Sequence, residues 1–336
     1  MMTPRQRILS AVEFKAPDKI PVIYHPSTAG LYVHGQKLID LFNKYPPDNA
    51  ITFDKIPSPP ASAIDKNGAY HEFRVDEWGI EWEFLIFGIA GHPKRYPFTG
   101  WDNAADYHFP AYGPIDHEKM AGVRKNYFPV GGWVSIFEQL TKVQPMDDAL
   151  VDLASEDPGI MRFLDRLTEF WLAEINKMID AGIDAIQFGD DLGTQNAPII
   201  SPAMFRSIFK PRYETLIAPI HKAGRKVFFH SCGFLDGILD DLIGMGIDVL
   251  WPQSSIFDAH PSFLEKCQAN KVALYIHPDR QYLIPLGSPA EIETAIKGYA
   301  DRYHALGGGG IFHVEMENDA PFENVKALVE SIHRWR

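Results

Sequence analysis

The sequence predicts an α/β fold, specifically a (β/α)8 TIM barrel forming a single domain over residues 1–336, and three observations carry that reading. Short apolar strands alternate with amphipathic helices over most of the chain, the pattern of a parallel sheet wrapped by helices. Eight such strands can be marked out. Ligand-type residues gather at their C-terminal ends, the end at which barrels of this kind carry their sites.

The elements follow in order. Thr3-Pro4-Arg5-Gln6 is a capping box with proline at the first helical position, so an N-terminal helix precedes the barrel. The strands are expected at Ile20–Tyr24, Ala50–Phe53, Tyr127–Val130, Asp184–Phe188, Lys226–His230, Asp248–Trp251, Val272–Ile276 and Gly310–Val314. Between them, Ser201-Pro202 opens a helix that Gly224 stops, Ser288-Pro-Ala-Glu291 is a second capping box, and Asp319 caps the last helix. Residues 55–125 break the rhythm with proline, glycine and aromatics, and Tyr70–Phe87 alternates like an antiparallel ribbon. This stretch is expected to be an insertion between the second and third strands, a lid over the barrel mouth.

With 46% hydrophobic residues the chain can bury a large core. Its formal net charge of −12 disfavours nucleic acid and anionic membrane as partners. No apolar run reaches the roughly 18 residues of a membrane span, and no signal-peptide layout is present. The two cysteines, Cys232 and Cys267, are too few for a disulfide framework, so a soluble, cytoplasmic protein is expected. Cys267 follows Phe263 and Leu264 at helical spacing and reads as core.

Cys232 carries chemistry. In Lys226-Val-Phe-Phe-His-Ser-Cys-Gly233 an apolar strand ends with His230 and Cys232 two residues apart, hence on one face. An imidazole and a thiol aimed together make half of a zinc site. A third ligand must come from another strand end, and in Ile311-Phe-His-Val-Glu-Met316 both His313 and Glu315 share the inward face. Asp190 and Asp191, in Phe188-Gly-Asp-Asp-Leu-Gly-Thr-Gln195, follow a buried strand. Adjacent side chains point apart, so one of the two is expected to face the site, for proton handling or to orient substrate or ligand. Tyr24 and Gln195 at strand ends, with Trp78 and Trp82 in the insertion, are candidate substrate contacts. Trp78, Trp82, Phe84 and Phe87 read first as the lid's own hydrophobic staple and second as walls for an apolar ligand. The glycine-rich nucleotide loops GxGxxG and GxxxxGK[ST], and the motifs GxSxG, HExxH and CxxC, are absent.

These motifs, taken in order, resemble the uroporphyrinogen decarboxylase superfamily, and within it the corrinoid-dependent methyltransferases of O-demethylase type. The likeness runs through Arg5-Gln-Arg-Ile-Leu-Ser-Ala-Val12, Pro17-Asp-Lys-Ile-Pro-Val22, Asp76-Glu-Trp-Gly79, Gly189-Asp-Asp-Leu-Gly193, Ile200-Ser-Pro202, His230-Ser-Cys-Gly233 and Pro321-Phe-Glu-Asn-Val325. The resemblance implies a (β/α)8 barrel, Zn2+ bound by the His-x-Cys pair and a later cysteine, and a corrinoid (cobalamin) carried by a partner protein. That later cysteine is missing here; its place falls at His313-Val-Glu315. Glu315 is therefore expected as third ligand beside His230 and Cys232, with His313 as hydrogen-bond donor to the departing oxygen. The aromatic-rich insertion favours an aromatic methyl ether as donor, and a homodimer is compatible with the resemblance. Two alternatives stay open: a decarboxylase working through Asp54, and a non-catalytic corrinoid or small-molecule carrier. The arginine clamp of the decarboxylases is missing from Tyr24-His-Pro-Ser-Thr-Ala-Gly30.

Overall fold

The structure, a computed structural model, describes residues 1–101 and 104–336. Its strands are β1 (Val22–Pro26), β2 (Glu72–Val75), β3 (Glu81–Phe84), β4 (His92–Arg95), β5 (Val130–Val134), β6 (Ala185–Gly189), β7 (Lys226–Ser231), β8 (Val249–Pro252), β9 (Ala273–Ile276) and β10 (Gly310–Met316). Seven of them form one parallel sheet in the order β1-β10-β9-β8-β7-β6-β5. Outward side chains such as Val22, Tyr24, Phe229 and Phe312 pack under the helices. Inward ones such as Phe228, Val249, Trp251, Tyr275 and Ile311 form a separate inner cluster. No described helix is long and apolar enough to cross a membrane.

The expected second strand is the main departure, because Ala50–Phe53 forms none. Side chains take over its pairing with β1. Asp48 donates its backbone N–H to the Val22 carbonyl at 2.7 Å and accepts the Val22 N–H on Oδ2 at 2.9 Å. Asn49 accepts from the Tyr24 N–H on Oδ1 and donates from Nδ2 to the Tyr24 carbonyl, both at 3.0 Å. The needs of the β1 edge are thereby met locally, and among the described residues no ladder closes the sheet between β1 and β5. The expected strand at Tyr127–Val130 also starts late. Pro129 has no N–H to donate, and the register shifts between Gly131 and Val134.

The N-terminal helix, Pro4–Val12, starts with the expected capping box on Thr3 and Gln6. Its Ile8, Ala11 and Val12 enter the inner cluster and plug the N-terminal end of the sheet. Within residues 55–125, β2, β3 and β4 form an antiparallel sheet, as the alternation at Tyr70–Phe87 anticipates.

Candidate active site

Register places the site residues. β1 and β10 pair Ile23 with His313 and His25 with Glu315, so these four face inward while Tyr24 and Val314 face the helices. His230 of β7 lies opposite Trp251 of β8. Two hollows result. A mouth cavity of about 580 Å³ at the C-terminal strand ends is lined by Asp191, His230, Cys232, His277, Arg280 and Glu315, among others. A lumen cavity of about 540 Å³ lies among the inward strand residues, with His25, Gln187, Phe228, Tyr275 and His313 on its walls. Trp133 and Trp251 line both.

On the rim of the mouth cavity, ligand atoms of Asp191, His230 and Cys232 all lie within 4.8 Å of one another. His230 Nε2 is 3.1 Å from Asp191 Oδ1 and 3.5 Å from Cys232 Sγ. Its Nδ1 donates to the Trp251 carbonyl at 3.0 Å, which leaves Nε2 as the nitrogen directed at the other two groups. Asp191 also accepts the Cys232 N–H at 2.7 Å. Burial opposes charge on His230, but Asp191 and then Cys232 push its pKa up to about 10. Burial likewise opposes charge on Asp191, yet His230 and Cys232 hold its carboxyl below the usual range. The loop that carries Cys232 is pressed against the loop after β6. Gly233 has φ +86°, and a Cβ there would lie 2.1 Å from the Gly193 carbonyl oxygen. A nitrogen, a sulfur and a carboxylate oxygen at this spacing fit a tetrahedral divalent ion with one open position. Thiolate and carboxylate together would neutralise it.

Glu315, the expected third ligand, stands in a different group with His277 and His313. Its carboxylate is held by Arg280 Nη1 at 2.5 Å, and His277 Nε2 lies 3.6 Å away. Trp251 donates its indole N–H to His277 Nδ1 at 3.1 Å. An indole nitrogen cannot accept, so the imidazole proton of His277 is on Nε2. Burial, then Arg280 and His230, push the pKa of His277 down to about 3. This second group is therefore a neutral donor beside an arginine–carboxylate pair, poorly suited to a cation. His313 is 0% exposed, lies with its ring centroid 4.0 Å from that of Trp251 and has a partner on neither ring nitrogen. Burial holds it well below the ordinary histidine range.

The paired aspartates diverge as their adjacency requires. Asp191 lines the mouth cavity, while Asp190 is buried and accepts from Ser135 Oγ, the Ile136 and Glu138 N–H groups and Tyr213 Oη. Burial, then Glu138, push Asp190 up to about 6. With all its acceptors engaged and neither hollow within reach, Asp190 braces the β5 turn and does not meet a ligand. Gln195 lines the mouth cavity. Tyr24, Trp78 and Trp82 line neither hollow. Tyr24 donates its hydroxyl to the Tyr45 carbonyl behind β1, Trp78 packs on Phe170 and Trp171, and Trp82 donates to Asp76. Each is drawn into the insertion or helix layer by its own partner. Asp54 is exposed and lines neither hollow. Trp133, Glu138, Trp251 and Arg280 were not singled out by the sequence reading. Inward alternation from His230 and its cross-strand neighbours is the signal that would have found Trp251.

Comparison with known proteins gives three findings. The family model described as uroporphyrinogen decarboxylase (URO-D) matches residues 130–335, more than half of the chain. The methylcobamide:CoM methyltransferase MtaA of Methanosarcina barkeri is 28% identical over 170 residues, 49% of this chain and 46% of that protein; the chain thus spans about half the length of the curated relative it matches. A solved methyltransferase from Methanosarcina mazei, 18% identical, superposes over 99% of both chains with a TM-score of 0.69, so the two share a fold.

Proposed function

The chain belongs to the uroporphyrinogen decarboxylase family, and from that premise we propose that it is a methyltransferase moving a methyl group between a small methylated donor and the cobalt of a corrinoid held by a partner protein. The observation that carries this reading is the His230–Cys232–Asp191 constellation on the rim of the mouth cavity. Those three residues would hold Zn2+, which when bound supplies Lewis acidity to an oxygen or sulfur of the substrate.

The chain's own groups divide the remaining work. The Trp251 carbonyl orients His230, and the Cys232 N–H orients Asp191. His277, neutral with its proton on Nε2, would donate a hydrogen bond to the departing oxygen, the role the sequence suggests for His313. Arg280 holds Glu315 on the facing wall and so keeps that carboxylate directed away from the metal ligands. Residues 55–125 act as a lid: Ala90, just after the β2–β3 ribbon, lines the mouth cavity. The favoured donor is an aromatic methyl ether, for which Trp133 and Trp251 supply flat walls.

Purified protein should contain one zinc per chain and transfer methyl from methoxylated aromatics to cob(I)alamin. Metal-free protein with full transfer activity would refute the reading. A decarboxylase using Asp54 has no support in the geometry, since that carboxylate lines neither hollow.

A further inference from the structure

The lumen cavity is not part of the metal-binding rim. Where the expected second strand is missing, Asn49, Ala50, Met120 and Val123 border the hollow instead of a backbone ladder. Val130 is 39% and Trp133 40% exposed although both belong to a strand of the main sheet, because the barrel beside the gap is open. Its volume of about 540 Å³ lies inside the range of small-molecule sites, about 300–1,000 Å³.

The walls define the ligand's chemistry. Among the described residues no lysine, arginine, aspartate or glutamate lines the lumen. An anion or cation entering it would lose its hydration without a counter-charge. Aromatic and aliphatic surfaces dominate, with Trp133 and Trp251 at the end nearest the metal ligands; their rings cross at 81° with centroids 6.1 Å apart. The polar groups are few, and Asn49 is already spent on the Tyr24 backbone. Gln187 donates Nε2 to the Phe188 carbonyl at 2.7 Å, and both His313 nitrogens, though unpartnered, are shut off from the free volume of the hollow.

We propose that the lumen seats a neutral, flat aromatic molecule, admitted through the gap between β1 and β5 and held by its aromatic and aliphatic walls. Resting on the methyltransferase reading, that molecule is the methylated donor, its ring in the lumen and its methoxy end passing between Trp133 and Trp251 into the mouth cavity that both also line. A carboxylated aromatic is excluded by the same walls.

The test uses the intact protein without corrinoid and the intrinsic fluorescence of methoxynaphthalene. Saturable one-to-one binding is expected, with methoxynaphthoate bound at least about tenfold more weakly. Val130→Trp, which fills the lumen from β5, should abolish binding. Ala50→Phe should slow association by narrowing the gap. Failure of the wild type to bind, equal binding of the anion, or indifference to Val130→Trp would each overturn the proposal. Lumen binding without methyl transfer to cob(I)alamin would retire the methyltransferase reading and leave the site standing. Transfer from a donor whose binding ignores Val130→Trp would retire the site and keep the reading.

Discussion

Trp251 donates its indole N–H to Nδ1 of His277 at 3.1 Å, while its own backbone carbonyl accepts from Nδ1 of His230 at 3.0 Å. One residue thus fixes two imidazoles in opposite senses: His277 as an Nε2 donor, His230 with Nε2 turned to Cys232 and Asp191. Nitrogen-15 NMR of the histidine rings should find His277 protonated on Nε2 alone. Trp251→Phe should release that preference and leave the Nδ1 bond of His230 intact, because the carbonyl remains. A wild-type His277 protonated on Nδ1 would reopen His277, His313 and Glu315 as a second metal centre.

The metal site separates two readings of its third ligand. Asp191 Oδ1 is 3.1 Å from His230 Nε2, whereas Glu315 is tied to Arg280. Cys232→Ser and Asp191→Asn are expected to lower zinc affinity at least about tenfold, and Glu315→Gln to leave it within about twofold. Zinc content after dialysis against a graded chelator reads this directly. Loss of zinc in Glu315→Gln alone would restore the ligand set expected from the sequence.

What was legible in the sequence followed from local periodicity. The strand from Lys226 and its inward pair His230 and Cys232 stand where alternation puts them. The opposed facing of Asp190 and Asp191 follows from adjacency. What failed was long-range. No local signal says that the side chains of Asp48 and Asn49 will replace a strand at Ala50–Phe53, since that depends on the β1 edge they meet. Tyr24, Trp78 and Trp82 are aromatic at plausible positions, but their hydroxyl and indole groups found partners outside the site. Trp251 reads as the end of an apolar strand, and its importance appears only once β7 lies beside β8.

Asp190 and Asp191 should behave as opposites on substitution. Asp190→Asn turns an amide into four donors that all point inward, so about 1–3 kcal/mol of stability should be lost. Asp191→Asn, at the half-exposed cavity rim, keeps an acceptor for the Cys232 N–H and a partner for His230, so the metal-free protein should lose less, about 1 kcal/mol or under. Urea unfolding of both variants, after metal removal, tests the division; equal losses would contradict it.

The ribbon's seat rests on Gly88. Its φ is +81°, and a Cβ there would lie 2.3 Å from the Ala29 nitrogen. Gly88→Ala should lift the ribbon from the Thr28–His34 helix while the main sheet keeps its stability. Limited proteolysis is expected to cut faster within residues 85–91, with the thermal midpoint of the barrel nearly unchanged. Uniform protection would show that the ribbon tip has other anchors.

Acid stability offers a test remote from the metal ligands. Tyr24 Oη, which donates to the Tyr45 carbonyl, lies 2.9 Å from His333 Nε2 and accepts its proton. Burial, then Arg336 and Lys19, push His333 down from the ordinary 6.5 to about 3. The unfolded chain therefore binds a proton between those values that the folded chain refuses. The stabilising contribution of neutral His333 is complete above about pH 6.5 and is lost as pH falls towards 3, with a slope of up to about 1.4 kcal/mol per pH unit. His277, held down to about 3 in the same way, adds a parallel slope. His333→Gln keeps a donor for Tyr24 but cannot titrate. Its unfolding free energy, measured in urea from pH 7 to pH 4, should fall less steeply than that of the wild type by about one proton's worth. Identical slopes would mean that His333 is protonated in the folded protein and that Tyr24 meets it as an imidazolium.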